Sequence, residues 1–127
     1  MFPKIPITGT AAWKQLQKHH QSSKDTIIMK AVFKEQPDRF QKFSLTLGDI
    51  LFDYSKNRVT NETMNLLQQL AEQTKVKDAI EAMFTGEIIN ETEGRPVLHT
   101  ALRNYSNEPV NVNGKVVMSD VSILQEY

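Results

Sequence analysis

Between Gly86 and Asn104 lie the residues of this sequence whose types and spacing are best suited to chemistry. Arg95, His99 and Arg103 are spaced i, i+4, i+8, so they share one side of a helix if the stretch is helical. Guanidinium groups bind phosphates and carboxylates strongly, and the start of a helix attracts anions. The pattern predicts a positive surface that faces an anionic ligand, with Arg95 and His99 as the candidate binding residues.

The helix that would carry this line of side chains is predicted from its ends and its apolar spacing. Thr92 is a suitable N-cap, and Pro96 falls within the first turn, where its missing N–H costs little. Gly86 is placed to end the preceding helix at its C-terminal cap. One face of the new helix would be buried, and it consists of Val97, Leu98, Ala101 and Leu102.

Arg95 and His99 also have a purely structural interpretation. Arg95 could pair with a nearby carboxylate such as Glu91 or Glu93, and His99 could be a hydrogen-bonded structural histidine. The residues alone leave both interpretations open.

The composition is typical of a soluble globular protein and removes several classes of function. A chain of 127 residues is the size of one domain. Fifteen basic residues balance fifteen acidic ones, which disfavours a nucleic-acid partner, and the absence of cysteine excludes disulfides and thiolate metal sites. The first residues do not form a signal peptide, and no run is apolar enough to span a membrane. We expect a cytoplasmic protein with no membrane partner.

The order of the patterns predicts an α+β chain in four segments. The last helix begins with a cap at Ser119 or Asp120 and has too few residues to be stable alone, so it reads as cut short. The segments are a helical arm over 1–36, a β-hairpin over 37–58, helices over 59–104, and a second hairpin with the short helix over 105–127.

The first hairpin is predicted from a change to period-two spacing around Gly48-Asp49, and the second from the turn dipeptide Asn113-Gly114. One apolar face is expected on the first hairpin, made of Phe43, Leu45, Leu47, Ile50, Phe52 and Tyr54. The aromatic set assigned to core packing is Phe40, Phe43, Phe52 and Phe84.

Two other polar groups are expected to have no catalytic or metal-binding role. The neighbours His19 and His20 would point about 100° apart on a helix and cannot chelate one metal ion well, so we expect a solvated or helix-end pair. Asp53, Tyr54 and Lys56 form a polar turn at the end of the hairpin, which is more often solvated than catalytic. No metal site is predicted.

Several runs of the sequence resemble the glucose-6-phosphate isomerase (phosphoglucose isomerase) family. They are FSLTLGDILFDYSKNRVT over 43–60, MFTGE over 83–87 and INETEGRPVLHTALRN over 89–104, with weaker similarity in AWKQLQKHH over 12–20, PDRFQKFSL over 37–45 and VNGKVVM over 112–118. The resemblance covers most of this chain and only the amino-terminal part of that family's much longer chains. It therefore identifies an N-terminal portion of such an enzyme.

The resemblance implies a parent fold of the SIS type, a doubled α/β sandwich with parallel sheets. It also implies interconversion of glucose 6-phosphate and fructose 6-phosphate in glycolysis and gluconeogenesis, by an enediol mechanism without cofactor or metal. The family is usually a homodimer with sites built from both subunits. The segments that carry the family's catalytic groups lie beyond this chain, so no catalytic residue is assigned and the chain alone is expected to be inactive. Arg95 and His99 remain substrate-pocket or second-shell candidates.

A different class of function stays open beside this one. The chain could be a free-standing, non-catalytic interaction or dimerisation module.

Overall fold

The computed structural model describes residues 4–106, 108–112 and 115–118. They form two compact units, one over Ile7–Leu70 and one made of residues 4–6 with the described residues from Ala71 on. The elements are a 3-10 turn (Ile7–Gly9), α1 (Ala11–Ser23), α2 (Met29–Glu35), α3 (Arg39–Lys42), β1 (Ser44–Leu47), β2 (Ile50–Asp53), α4 (Asn61–Gln73), α5 (Val76–Phe84), a 3-10 turn (Ala101–Arg103), β3 (Asn111–Val112) and β4 (Lys115–Val116). This content confirms the α+β prediction.

None of the helices in the described part of the chain has both the length and the apolar content that a membrane crossing requires.

Side-chain caps decide where two of the long helices begin. Thr10 Oγ1 accepts a hydrogen bond from the Trp13 N–H at 3.2 Å, which starts α1. Thr60 and Thr63 exchange hydrogen bonds at the start of α4: each hydroxyl accepts from the other's backbone N–H, at 3.2 and 3.0 Å. These bonds satisfy N–H groups that have no partner inside the helix. Threonine is among the residues that favour the N-cap position, so Thr10 and Thr60 suit these helix starts.

The second helix does not begin at the capping residue types Ser23 or Asp25. Helix α1 continues to Ser23 and a turn follows, so α2 begins at Met29.

Strands β1 and β2 form the predicted antiparallel hairpin around Gly48, whose φ of 55° suits a residue without a Cβ. The pairing sets Leu45 opposite Phe52 and Leu47 opposite Ile50. Because side chains alternate along a strand, these four residues share one face, and the prediction of a single apolar face is confirmed.

A buried arginine joins this hairpin to the loop that follows it. Arg39, on α3, is 1% exposed. Its Nε donates to the Ser55 carbonyl at 2.7 Å, and its Nη2 donates to the carbonyls of Asn57 and Val59 at 3.0 and 2.9 Å. The guanidinium carbon lies 4.4 Å from the centre of the Phe43 ring. Carbonyl dipoles and an aromatic face thus surround the charge of this arginine.

His19 is also part of the interior, and the prediction of a solvated residue is wrong for it. Its side chain is 9% exposed, its Nε2 lies 2.8 Å from Thr63 Oγ1, and its Nδ1 lies 3.4 Å from a carboxylate oxygen of Glu62. The ring connects α1 to the first turn of α4. His20, one position on, is exposed.

The aromatic set assigned to the core is mostly at the surface. Phe43 is 3% exposed, but Phe40, Phe52 and Phe84 are 42%, 61% and 58% exposed. The assignment is wrong for these three residues, because the described elements leave their apolar faces uncovered.

The second hairpin is confirmed by the antiparallel pairing of β3 with β4. Its turn, Asn113-Gly114, and the predicted last helix from Ser119 on lie outside the described residues.

Removing the Arg39 donors should destabilise the Ile7–Leu70 unit strongly. We expect Arg39→Met to lower the free energy of unfolding by about 3 kcal/mol or more, because three carbonyls would lose their donors inside the protein. Arg39→Lys should lower the free energy of unfolding by a smaller amount, since lysine keeps the positive charge but lacks the planar set of N–H donors of the guanidinium. Urea denaturation followed by circular dichroism measures both effects. Lys34→Ala, an exposed change on α2, is the control, and equal midpoints for Arg39→Met and this control would refute the role of Arg39.

Candidate functional site

The stretch expected to be a helix from Thr92 is a closed loop, and the helix prediction is wrong. The Asn90 N–H donates to the Arg95 carbonyl at 3.1 Å, and the Arg95 N–H donates back at 3.2 Å. Gly94 has a φ of 64°, which right-handed helical backbone does not allow. Arg95 precedes Pro96, which disfavours helical geometry at Arg95. Turn residues therefore outweigh the apolar spacing, and only a short 3-10 turn, Ala101–Arg103, forms farther on.

The Arg95 side chain folds back on its own loop. Its Nε and Nη2 both lie 2.5 Å from Oε2 of Glu93. Asn90 donates to the same carboxylate oxygen at 3.0 Å and accepts from the Glu93 N–H at 3.3 Å. The pair is open to solvent, with the arginine side chain 68% exposed. An exposed pair of this kind contributes less than about 1 kcal/mol, so an incoming anion can compete for the guanidinium.

Arg95 and His99 line the same shallow cavity of about 260 Å³. Asn90 and Leu102 also border it, which gives the recess both polar and apolar walls. The structure therefore brings the two candidate residues to one place, although no helix aligns them.

The third residue of the predicted line borders a neighbouring recess. Arg103 shares a cavity of about 380 Å³ with His99 and Phe84. Its Nη1 donates to the backbone carbonyl of His99 at 3.3 Å. His99 is exposed and lies between the two recesses.

This arrangement can bind a ligand but carries little chemistry of its own. The charge of Arg95 is opposed by Glu93, and the cavity walls near His99 hold no further acid or base. Among the described residues, no group of three or more histidine, aspartate or glutamate side chains could hold a metal ion. The exposed guanidinium of Arg95 is the group of this recess that is suited to an anion.

The polar turn after β2 has a structural role. The Asp53 carboxylate accepts the Ser55 N–H at 2.8 Å, and hydrogen bonds from the Ser55 side chain and backbone lower the pKa of the Asp53 carboxyl. Tyr54 packs edge-on against Phe43, with ring centres 5.8 Å apart. Lys56 is exposed. These contacts fix the turn against the base of the hairpin.

Gly86 ends α5 in the way the sequence predicts. Its φ is 75°, and the Glu87 N–H donates to the Ala82 carbonyl at 2.9 Å, as in a Schellman cap. A Cβ at this position would lie 2.6 Å from the Asn111 carbonyl oxygen and 2.9 Å from Val112. Only glycine allows this backbone to approach β3 so closely.

Arg39 and His19 are the two structurally important polar residues whose roles sequence reasoning missed. A signal existed for Arg39, because it stands four positions before Phe43 on what could be a helical turn, where a guanidinium reaches an aromatic ring. For His19 the sequence offered no comparable signal, since Thr63 lies far along the chain.

Comparison with known proteins decides the family. The sequence model of the family described as phosphoglucose isomerase matches residues 53–126, more than half of the chain. This chain belongs to the phosphoglucose isomerase family. The matched part contains the Asp53 turn, Gly86, Arg95 and His99, so the candidate recess lies within the family's own region.

A curated relative agrees with this assignment. The glucose-6-phosphate isomerase of Aspergillus oryzae is 48% identical over 126 residues. That alignment covers 94% of this chain but 23% of the relative, so the chain spans about a quarter of the length of the isomerase it matches.

Replacing Gly86 should destabilise the unit that holds the candidate recess. We expect Gly86→Ala to lower the free energy of unfolding by about 2 kcal/mol or more, because alanine is strained at this φ and its Cβ meets backbone. Gly9→Ala is the matched control, since a Cβ there meets nothing within 4 Å. Thermal unfolding of both variants checks this, and an equal effect of the two substitutions would contradict it.

Proposed function

We propose that this chain is the amino-terminal portion of an aldose–ketose isomerase that interconverts glucose 6-phosphate and fructose 6-phosphate through an enediol. The single observation that carries the proposal is the match to the phosphoglucose isomerase family together with 48% identity to a glucose-6-phosphate isomerase. The reaction belongs to glycolysis and gluconeogenesis, which makes the cytoplasm the expected compartment.

The whole enzyme, in this proposal, has the SIS-type doubled α/β sandwich, works as a homodimer and needs no cofactor or metal. Its substrate is a sugar phosphate. The present chain supplies helices, two hairpins and the candidate recess to that larger structure.

Within the whole enzyme, Arg95 and His99 are proposed to support the substrate pocket, directly or from behind it. Their shared recess, its mixed walls and the exposed guanidinium support this role. A structural role for the Arg95–Glu93 pair remains the competing interpretation, because it closes the loop over 90–95.

The chain alone is proposed to be inactive. Moving a proton between adjacent carbons needs a base, a group that opens the sugar ring and a stabiliser for the enediolate. The described residues bring no such set together: the recess offers one arginine paired with Glu93 and one histidine.

The alternative is a free-standing, non-catalytic interaction or dimerisation module. The exposed apolar side chains favour association with a partner. Sequencing the gene past Tyr127 separates the two: an open frame supports the isomerase, and a stop codon supports the module.

The proposed inactivity is checked with the purified chain and fructose 6-phosphate in an assay coupled to glucose 6-phosphate dehydrogenase. We expect no turnover above the blank, because residues 4–106, 108–112 and 115–118 bring no complete acid–base set together. A parallel reaction with a full-length isomerase is the positive control. Turnover by the chain near that of the control would refute the prediction.

The role of Arg95 is tested in a full-length family member carrying the equivalent arginine. If it supports the pocket, replacement by alanine should lower kcat/KM about tenfold, equal to about 1.4 kcal/mol of transition-state stabilisation, with little change in unfolding temperature. Replacement of the residue equivalent to Glu93 by glutamine is the matched control, since it loosens the loop but leaves the cation. Unchanged kinetics with lower stability would make Arg95 structural.

A further inference from the structure

The first hairpin presents an apolar face to solvent. We call the side chains of Leu45, Leu47, Ile50 and Phe52 the apolar hairpin face; they are 64%, 80%, 69% and 61% exposed. Antiparallel sheets normally turn such a face towards a core. Contiguous exposed apolar surface on a soluble protein marks a contact with another structure.

This face is held in a fixed position. Phe43, at the start of the hairpin, is buried, and the Arg39 guanidinium stacks on it. At the same end of the hairpin Tyr54 packs on Phe43 and stacks on Phe52, with ring centres 5.8 and 5.4 Å apart. A docking surface with a fixed base loses little conformational entropy when it binds.

The partner must be large, because the unit that carries the face has little core of its own. Among the described residues of Ile7–Leu70, the apolar ones that are buried are Ala12, Phe43 and Leu66. Units of this size are marginally stable even with a well-formed core. A short peptide would cover the face without adding the missing core.

The comparison with the Aspergillus oryzae isomerase indicates which partner this is. About three quarters of that relative has no counterpart in the present chain, since the alignment covers 23% of its length. A second copy of this chain would bring the same shortage of core residues. We propose that the apolar hairpin face docks against the remaining part of the isomerase polypeptide; this inference rests on the proposed function.

The test uses two proteins: the chain itself, and a full-length chimaera in which it replaces the matching stretch of the Aspergillus oryzae isomerase. Leu47→Glu places a charge on the apolar hairpin face, and Ile50→Glu repeats the change on the paired strand. Thr46→Glu is the matched control, because it lies on the opposite face of the same strand. In the chain alone, all three should leave the unfolding temperature unchanged, since these positions are already exposed.

In the chimaera the two face variants should lower the unfolding temperature by several degrees or abolish soluble expression, while Thr46→Glu should not. Equal stability of Leu47→Glu and Thr46→Glu chimaeras would overturn the inference, as would an insoluble chimaera with the unsubstituted chain. A dimer of the chain alone that Leu47→Glu dissociates would also overturn it, in favour of a second copy.

Isomerase activity of the unsubstituted chimaera separates this inference from the proposed function. A folded, inactive chimaera that Leu47→Glu destabilises would refute the function and keep the docking surface. An active chimaera that Leu47→Glu does not destabilise would support the function and refute the docking surface.

Discussion

A single buried guanidinium organises the Ile7–Leu70 unit. Arg39 donates to three carbonyls of the loop after β2 and stacks on Phe43 at the start of β1, so both ends of the hairpin are tied to one side chain. The described residues pair Arg39 with carbonyls and an aromatic ring, whose dipoles and hydrogen bonds replace the lost hydration of the buried cation. Because the hairpin itself is exposed, its position depends on this contact more than on a hydrophobic core.

Local chemistry was predictable from the sequence, and contacts between distant residues were not. Caps at Thr10 and Thr60, the Gly48 turn and the Gly86 helix end follow from neighbours within a few positions. The burial of Arg39 depends on carbonyls 16 to 20 residues away, which no local pattern reveals. The helix expected from Thr92 does not form, for a local reason: Gly94 has a positive φ and closes a turn, which the apolar spacing does not override.

The candidate site also shows the difference between what a sequence pattern predicts and how the backbone folds. Spacing predicted Arg95, His99 and Arg103 in a line, whereas the loop and the 3-10 turn distribute them over two adjoining recesses. Sequence similarity named the family correctly because a run such as INETEGRPVLHTALRN is informative even when its secondary structure is misread. Large apolar side chains are normally buried. Those of Phe52 and Phe84 are exposed, because none of the described elements covers them.

Arg39 fixes the hairpin in this chain, and we propose that the remaining part of a larger isomerase polypeptide covers its apolar face. The decisive measurement is a crystal structure of the full-length chimaera. We expect Leu47 and Ile50 to be buried against the remaining polypeptide and the Arg39 hydrogen bonds to Ser55, Asn57 and Val59 to persist. A structure in which the hairpin face still points to solvent, or in which Arg39 has left those carbonyls, would contradict this expectation.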